Sequence, residues 1–187
     1  MRAICLTLIA LALTSCRPGG QSTTGDGAET RPPTRAEIWA AIQPMAKRYR
    51  LDPAFIYALV AAESNFNPSV RNGSARGLMQ IKPAAWQAVS TLPYERAVWN
   101  WRRNLEVGVD YLAYSRAYLH KKTTFSYPLL LGAFHYGLDY VEDRNFDLRR
   151  IPVPDNAIYR QLWSGNLAPV PPPEAAGGVA GALNARR

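Results

Sequence analysis

Cysteine and histidine are nearly missing from this 187-residue chain, which has two of each. Two cysteines cannot build a disulfide framework, and with no histidine near them they cannot build a structural zinc site. No metal and no cofactor are therefore expected. Long apolar runs are also missing. The longest, near the N-terminus, covers about ten residues, against the roughly 20 a helix needs to cross a hydrocarbon core. Acidic residues are scarce, with 14 Asp plus Glu against 22 Lys plus Arg, a formal charge of +8. That surplus points to an anionic partner and leaves nucleic acid, anionic lipid and acidic cell-wall polymer all admissible. The length suits one compact domain and leaves little room for two.

The apolar run follows Arg2 and ends in small residues, the architecture of a secretory signal over residues 1–15. Its end, Leu13, Thr14, Ser15 and Cys16, resembles a bacterial lipobox, in which cleavage precedes a cysteine that is then lipidated. That resemblance makes Cys16 the lipidation site and Cys5 part of the removed peptide. With Arg17 rather than Asp after it, it also implies an outer-membrane lipoprotein facing the periplasm. Residues 16–34 are rich in Gly, Pro, Ser and Thr and read as a flexible linker, and residues 166–187 as a disordered Pro, Ala and Gly tail. Export argues against a nucleic-acid partner. The remaining 35–165 carries 17 basic and 11 acidic residues, so most of the positive charge belongs to the folding region. Its basic pairs, Lys47 and Arg48, Arg102 and Arg103, Lys121 and Lys122, Arg149 and Arg150, are scattered.

Within that region the pattern predicts helices joined by Pro- and Gly-marked loops. Thr34 and Glu37 have capping-box spacing, and Ile38, Ala41, Ile42, Met45 and Tyr49 recur at helical intervals. Asp52 and Pro53 read as an N-cap and first-turn proline of a second helix that ends before Asn67 and Pro68. Further helices are expected from Pro83, over residues 104–120, from Ser126 or Tyr127 with Pro128 in the first turn, and from Asp155 through Tyr159 and Trp163. A small hairpin is expected between Arg71 and Gln80. The fold class is mainly helical, in one domain.

In the second helix Glu63 completes an apolar stripe with Ile56, Leu59 and Val60. A carboxyl group withdrawn from water holds its proton to higher pH and so becomes a general acid. The plainer alternative is a solvated residue at a frayed helix end. The segment after the helix favours the first. Glu63 and Ser64 precede Gly77, Leu78, Met79 and Gln80, and this pairing and spacing resembles the lytic transglycosylases, bacterial cell-wall enzymes related to goose-type lysozyme. Leu51, Asp52 and Pro53, then Asn104, Leu105, Gly108, Tyr111 and Leu112, then Tyr159, agree with the same family. The likeness covers residues 36–165 and implies an α+β lysozyme-like fold.

The resemblance implies a substrate, the glycan strands of peptidoglycan, and a reaction. Glu63 would protonate the β-1,4 glycosidic oxygen between N-acetylmuramic acid and N-acetylglucosamine, then act as base while the 6-hydroxyl closes a 1,6-anhydro ring. It also implies substrate-binding roles for Ser64, Met79, Gln80 and Tyr159, with ordinary core packing the plainer alternative for Met79 and Tyr159. Where the family carries Ala-Tyr-Asn-Ala-Gly, this chain has Ala133, Phe134, His135, Tyr136 and Gly137. His135 can donate one hydrogen bond and accept another, and so joins the substrate-binding candidates; the alternative is a rim residue with no chemical part. Independently of the resemblance, residues 65–94 hold no Asp or Glu, whereas most glycosidases use two carboxyl groups. Asp110, Asp139 and Asp155 remain free to fold into the cleft. A goose-type lysozyme-like hydrolase and a non-catalytic peptidoglycan-binding lipoprotein fit the same residues.

Overall fold

Capping residues set most of the helix starts. The structure, a computed structural model, describes residues 31–173; the expected signal peptide, Cys16 and most of the linker and tail lie outside the described residues. Helix α1 (Arg35–Tyr49) opens on the expected capping box. The Thr34 hydroxyl accepts from the Glu37 N–H at 3.2 Å, and the Glu37 carboxylate accepts from the Thr34 N–H at 2.8 Å. Helix α2 (Pro53–Ser64) opens on Asp52, whose Oδ1 accepts from the N–H groups of Ala54 and Phe55 at 2.7 and 3.2 Å.

The stripe expected on α2 is in fact a whole circumference. Every residue of α2 from Phe55 to Ala61 is buried, as befits a helix apolar on all sides, with α1 on one flank and the last helix on another. Burial of side chains such as Ile56 and Leu59 contributes about 1.5–3 kcal/mol each. The helix is partly exposed only at its two ends, and Glu63 sits in its last turn. Asn65 and Phe66, both with positive φ (49° and 64°), then turn the chain sharply away.

The expected hairpin is present and minimal. Strands β1 (Arg71–Asn72) and β2 (Ala75–Arg76) pair antiparallel, Arg71 opposite Arg76 and Asn72 opposite Ala75. Gly73 (φ 57°) makes the turn. From here the segment through Gly77, Leu78, Met79 and Gln80 doubles back to bridge Arg76 with Ile81.

Helices α3 (Pro83–Val89) and α4 (Tyr94–Ala97) lead to the long α5 (Trp101–Lys121), capped by Asn100. Asn104, fully buried on α5, is the fastener of the doubled-back segment. Its Oδ1 accepts from the Met79 N–H at 2.9 Å, and its Nδ2 donates to the carbonyls of Arg76 and Val98 at 2.9 and 3.1 Å. Gly77 (φ 78°) lets the backbone come close enough, since a Cβ there would lie 2.3 Å from Asn104 Nδ2.

One turn further along α5, Gly108 receives the Met79 side chain. Gly108→Ala would put a methyl 2.3 Å from Met79 Sδ and 3.0 Å from its Cβ. Met79 is fully enclosed, so the variant is expected to lose about 1–3 kcal/mol to overpacking, read as a lower thermal midpoint.

Helix α6 (Tyr127–Tyr136) starts with Ser126 as N-cap and a proline in its first turn, and the Tyr127 hydroxyl accepts the Asp52 N–H at 2.8 Å, joining the starts of α2 and α6. Helix α7 (Leu138–Glu142), a 3₁₀ turn (Leu148–Arg150) and α8 (Ala157–Trp163) follow. Helix α8 begins two residues later than Asp155, with Asn156 as its cap. Leu167 and Val170, assigned to the tail by composition, are partly buried against the core, so packing extends past residue 165.

Candidate active site

The last turn of α2 delivers Glu63 into a cleft of about 900 Å³. Its walls are the hairpin, the residues leading into α3, the end of α6 and the segment entering α8. Glu63 keeps some contact with solvent through the cleft, but the surrounding protein is what governs its titration. Burial pushes its pKa up from 4.5 to about 7, against the opposing pull of a hydrogen bond from Tyr159 and of the Lys82 charge. At neutral pH the group is therefore divided between acid and conjugate base, the condition for doing both jobs in one cycle.

Tyr159 is 2% exposed, and its hydroxyl donates a very short hydrogen bond to Glu63 Oε1. Burial and the neighbouring Glu63 charge raise its own pKa well above the usual tyrosine value, so it stays a neutral donor. Its position comes from Asn156. The Asn156 side-chain oxygen caps α8 by accepting from Ile158 and Tyr159 N–H groups at 2.8 and 3.2 Å, while its Nδ2 reaches the Ala62 carbonyl of α2 at 3.5 Å. The Tyr159 hydroxyl is also 3.3 Å from His135 Nδ1. Burial, followed by the Lys82 charge, lowers the His135 pKa, leaving a neutral imidazole in the cleft wall.

Gln80 lines the cleft as expected. Its amide nitrogen is committed to the backbone, donating to the carbonyls of Val70 and Gly77 at 3.0 and 2.8 Å, and its backbone φ is 46°.

Ser64 and Met79 do not border the cleft, contrary to the sequence expectation. The Ser64 hydroxyl donates back to the Val60 carbonyl at 3.1 Å within its own helix. Being one residue on from Glu63, its side chain is turned about 100° around α2, away from the cleft. Met79 is enclosed against Gly108 and serves the cleft only through the backbone it anchors.

The structure also brings to the cleft residues to which the sequence patterns gave no site role. Lys82, Tyr111, Phe134, Tyr136 and Asn156 all border the cleft. Asn156 carried a usable signal, an N-cap residue immediately before a helix; Lys82 carried none. None of the four basic pairs borders the cleft.

Of the three outlying carboxylates, Asp110 accepts from the Tyr49 hydroxyl at 2.6 Å, outside the cleft, and Asp139 is exposed, also outside it. Asp155 does reach the rim, where its side chain is 98% exposed and paired with Arg160 at 2.6 Å. It has none of the burial that tunes Glu63.

Comparison with known proteins bears on this geometry. The family model "Transglycosylase SLT domain" matches residues 40–145, more than half the chain. The chain belongs to the transglycosylase SLT family. Membrane-bound lytic murein transglycosylase C of Actinobacillus pleuropneumoniae serotype 5b (strain L20) is 34% identical over 83 residues, covering 40% of this chain and 23% of the relative. The proteins of the same name from serotypes 3 (strain JL03) and 7 (strain AP76) match to the same extent. The chain thus spans about a quarter of the length of these relatives. The solved structure of an inactive mutant of lytic transglycosylase Slt from Pseudomonas aeruginosa aligns with a TM-score of 0.50 at 19% identity, over 66% of this chain and 20% of that one. The fold is accordingly lysozyme-like and mainly helical, with one small hairpin.

Within this SLT chain the matched span stops at residue 145. Glu63, Gln80, Lys82 and His135 fall inside it. Asp155, Asn156 and Tyr159 come from the segment beyond, so α8 completes the surroundings of Glu63 from outside the matched region.

Proposed function

We propose that this SLT protein cleaves peptidoglycan glycan strands without water, releasing 1,6-anhydro-N-acetylmuramic acid ends, with Glu63 as acid and then base. One observation carries the reading: the enclosed carboxyl in the cleft, Glu63, has its pKa raised to about 7 and is held by the Tyr159 hydroxyl. Protonated Glu63 gives its proton to the glycosidic oxygen and the C1–O bond breaks. The substrate's acetamido oxygen closes on C1, forming an oxazolinium ion. The Glu63 carboxylate then removes the proton of the 6-hydroxyl, O6 displaces the acetamido oxygen at C1, and Glu63 is again protonated. Every nucleophile comes from the substrate, so no second buried carboxylate is needed, and intramolecular attack has a high effective molarity.

Tyr159, Gln80 and His135 serve this site as positioning or substrate-facing groups. Lys82, exposed in the cleft, draws the lactyl and stem-peptide carboxylates of the polymer. The name of the curated relatives supports a place in the cell envelope, and we assign the attachment to lipid on Cys16 at the outer membrane, facing the periplasm. Among the described residues no helix is long and apolar enough to cross a membrane.

Digestion of purified sacculi followed by mass spectrometry of the soluble products tests the reaction. Anhydro-muropeptides are expected; products ending only in reducing N-acetylmuramic acid would identify a hydrolase, and sacculus binding with no product at all a glycan-binding protein. The pH dependence follows from the same group. Because the cycle begins with protonated Glu63, kcat/KM should fall on the alkaline side with a midpoint near pH 7, measured on soluble glycan strands in buffers of constant ionic strength.

A further inference from the structure

The hydrogen bonds around Glu63 form a chain whose direction can be worked out by counting protons. The Tyr159 hydroxyl has a single proton, and it lies on the bond to Glu63 Oε1. An ionised carboxylate only accepts, so in that state the proton can be nowhere else. The second neighbour of the Tyr159 oxygen is His135 Nδ1, at 3.3 Å. With its proton committed, the oxygen can only accept there. The imidazole must then carry its hydrogen on Nδ1 and leave Nε2 bare.

We propose that His135 is a positioning residue acting through Tyr159: its Nδ1–H holds the Tyr159 hydroxyl proton on Glu63 Oε1 and so reserves Glu63 Oε2 for the proton given to substrate. The proposal rests on Glu63 being the acid. When Glu63 is protonated, Oε1 is already receiving from Tyr159, and the Tyr159 oxygen is already receiving from His135. No acceptor is left on that side, so the acid's proton sits on Oε2. Remove the His135 donor and the Tyr159 oxygen is free to accept. Glu63 can then turn its proton inward, where no glycosidic oxygen can reach it.

The groups facing His135 agree with a neutral, Nδ1-protonated ring. On α8 stands Tyr159, with its ring centroid 5.2 Å away and edge-on; on α6 itself the Tyr136 ring lies at 4.6 Å, also edge-on. Lys82 contributes positive charge from the residues before α3, Glu63 lies beyond Tyr159 on α2, and Tyr111 of α5 and Asp155 border the same cleft. A second proton on the imidazole would place two cations together, which burial and Lys82 both oppose.

Two side chains separate the nitrogens. The amide nitrogen of Asn stands at the same bond distance from Cα as His Nδ1, and that of Gln at the bond distance of Nε2. A role through Nδ1 therefore predicts rescue by His135→Asn and failure of His135→Gln. On soluble uncrosslinked glycan strands, His135→Gln should lower kcat about tenfold with KM little changed, and His135→Asn should recover most of the loss. In a Tyr159→Phe background the Gln change should have almost no further effect. Raised KM at constant kcat, or Gln active and Asn impaired, would overturn the proposal and make Nε2 a substrate contact. The second measurement needs no turnover. With only His120 and His135 in the chain, ¹⁵N-histidine NMR of wild type and His135→Asn assigns both rings, and His135 should show the Nδ1–H tautomer at pH 7.5. An Nε2–H tautomer sinks the proposal even if the enzyme proves to be a transglycosylase, and an Nδ1–H tautomer sustains the hydrogen-bond chain even if it proves not to be.

Discussion

Glu63→Gln should reduce anhydro-muropeptide release from sacculi by roughly a thousandfold, the weight of a general acid and base removed together, while melting at a higher temperature than wild type at pH 8. Gln preserves the volume and still accepts the Tyr159 hydrogen bond through Oε1, so the variant keeps the cleft and loses only the titration. The stability crossover follows from linkage. The folded protein holds the Glu63 proton up to about pH 7, whereas an ordinary glutamate releases it near 4.5. Between those values the folded state binds more protons than the unfolded one, so wild-type stability is greatest below the lower value and falls as pH rises through the upper. At about 1.4 kcal/mol per unit the fall amounts to about 3 kcal/mol in all. The Gln variant has no such fall. Thermal melts of the pair at pH 4.5, 6 and 8 should show the gap opening across that window and then levelling off. Parallel curves at all three values would mean that Glu63 is not held out of water.

Asn104→Ala should be the costliest substitution away from the chemistry, at about 3 kcal/mol, because it orphans the buried Met79 N–H and opens a void where the amide stood. For a domain of this size that corresponds to a drop of about 10 °C in thermal midpoint, measured by circular dichroism. Activity should fall as well at temperatures where the variant is still folded, since Gln80 and the hairpin wall are held through the same amide. Gly77→Ala approaches the fastener from the other side: its new Cβ would stand 2.3 Å from Asn104 Nδ2. Combining the two should cost less than their sum, because truncating Asn104 removes the clash. Strict additivity would show that Gly77 is needed for its positive φ alone.

How far the sequence revealed the fold depended on whether the cause was local. Thr34 with Glu37, Asp52 with Pro53, and Ser126 ahead of Tyr127 and Pro128 each satisfy backbone groups within three residues, and each helix begins where its cap stands. Helices α4 and α7 left no comparable trace. Each is a single short turn, held by packing against α3 or α6 rather than by a periodic face of its own. Glu63 was found at the right place through a stripe that turned out to be one side of a helix enclosed all round from Phe55 to Ala61; its carboxyl is buried because α2 is, and it is accessible because α2 ends. The meeting of Tyr159 with Glu63, 96 residues apart, and the clasp between Asn104 and Met79, 25 apart, are products of tertiary packing; likeness to the family marked Tyr159 as a site residue and gave no hint of the clasp. The same likeness misassigned Ser64 and Met79, since a family pattern records that a residue matters without saying whether it faces substrate or supports the residue that does.

The single amide of Asn104 also bears on how the cleft breathes. The Met79 N–H ends on a fully buried side chain in the first turn of α5. For that hydrogen to exchange with deuterium, the start of α5 must leave the core. Its protection should therefore match that of the buried amides in the first turns of α5. The backbone behind the hairpin wall of this cleft is then held as firmly as the start of α5, and the opening that admits a glycan strand is expected at the rim.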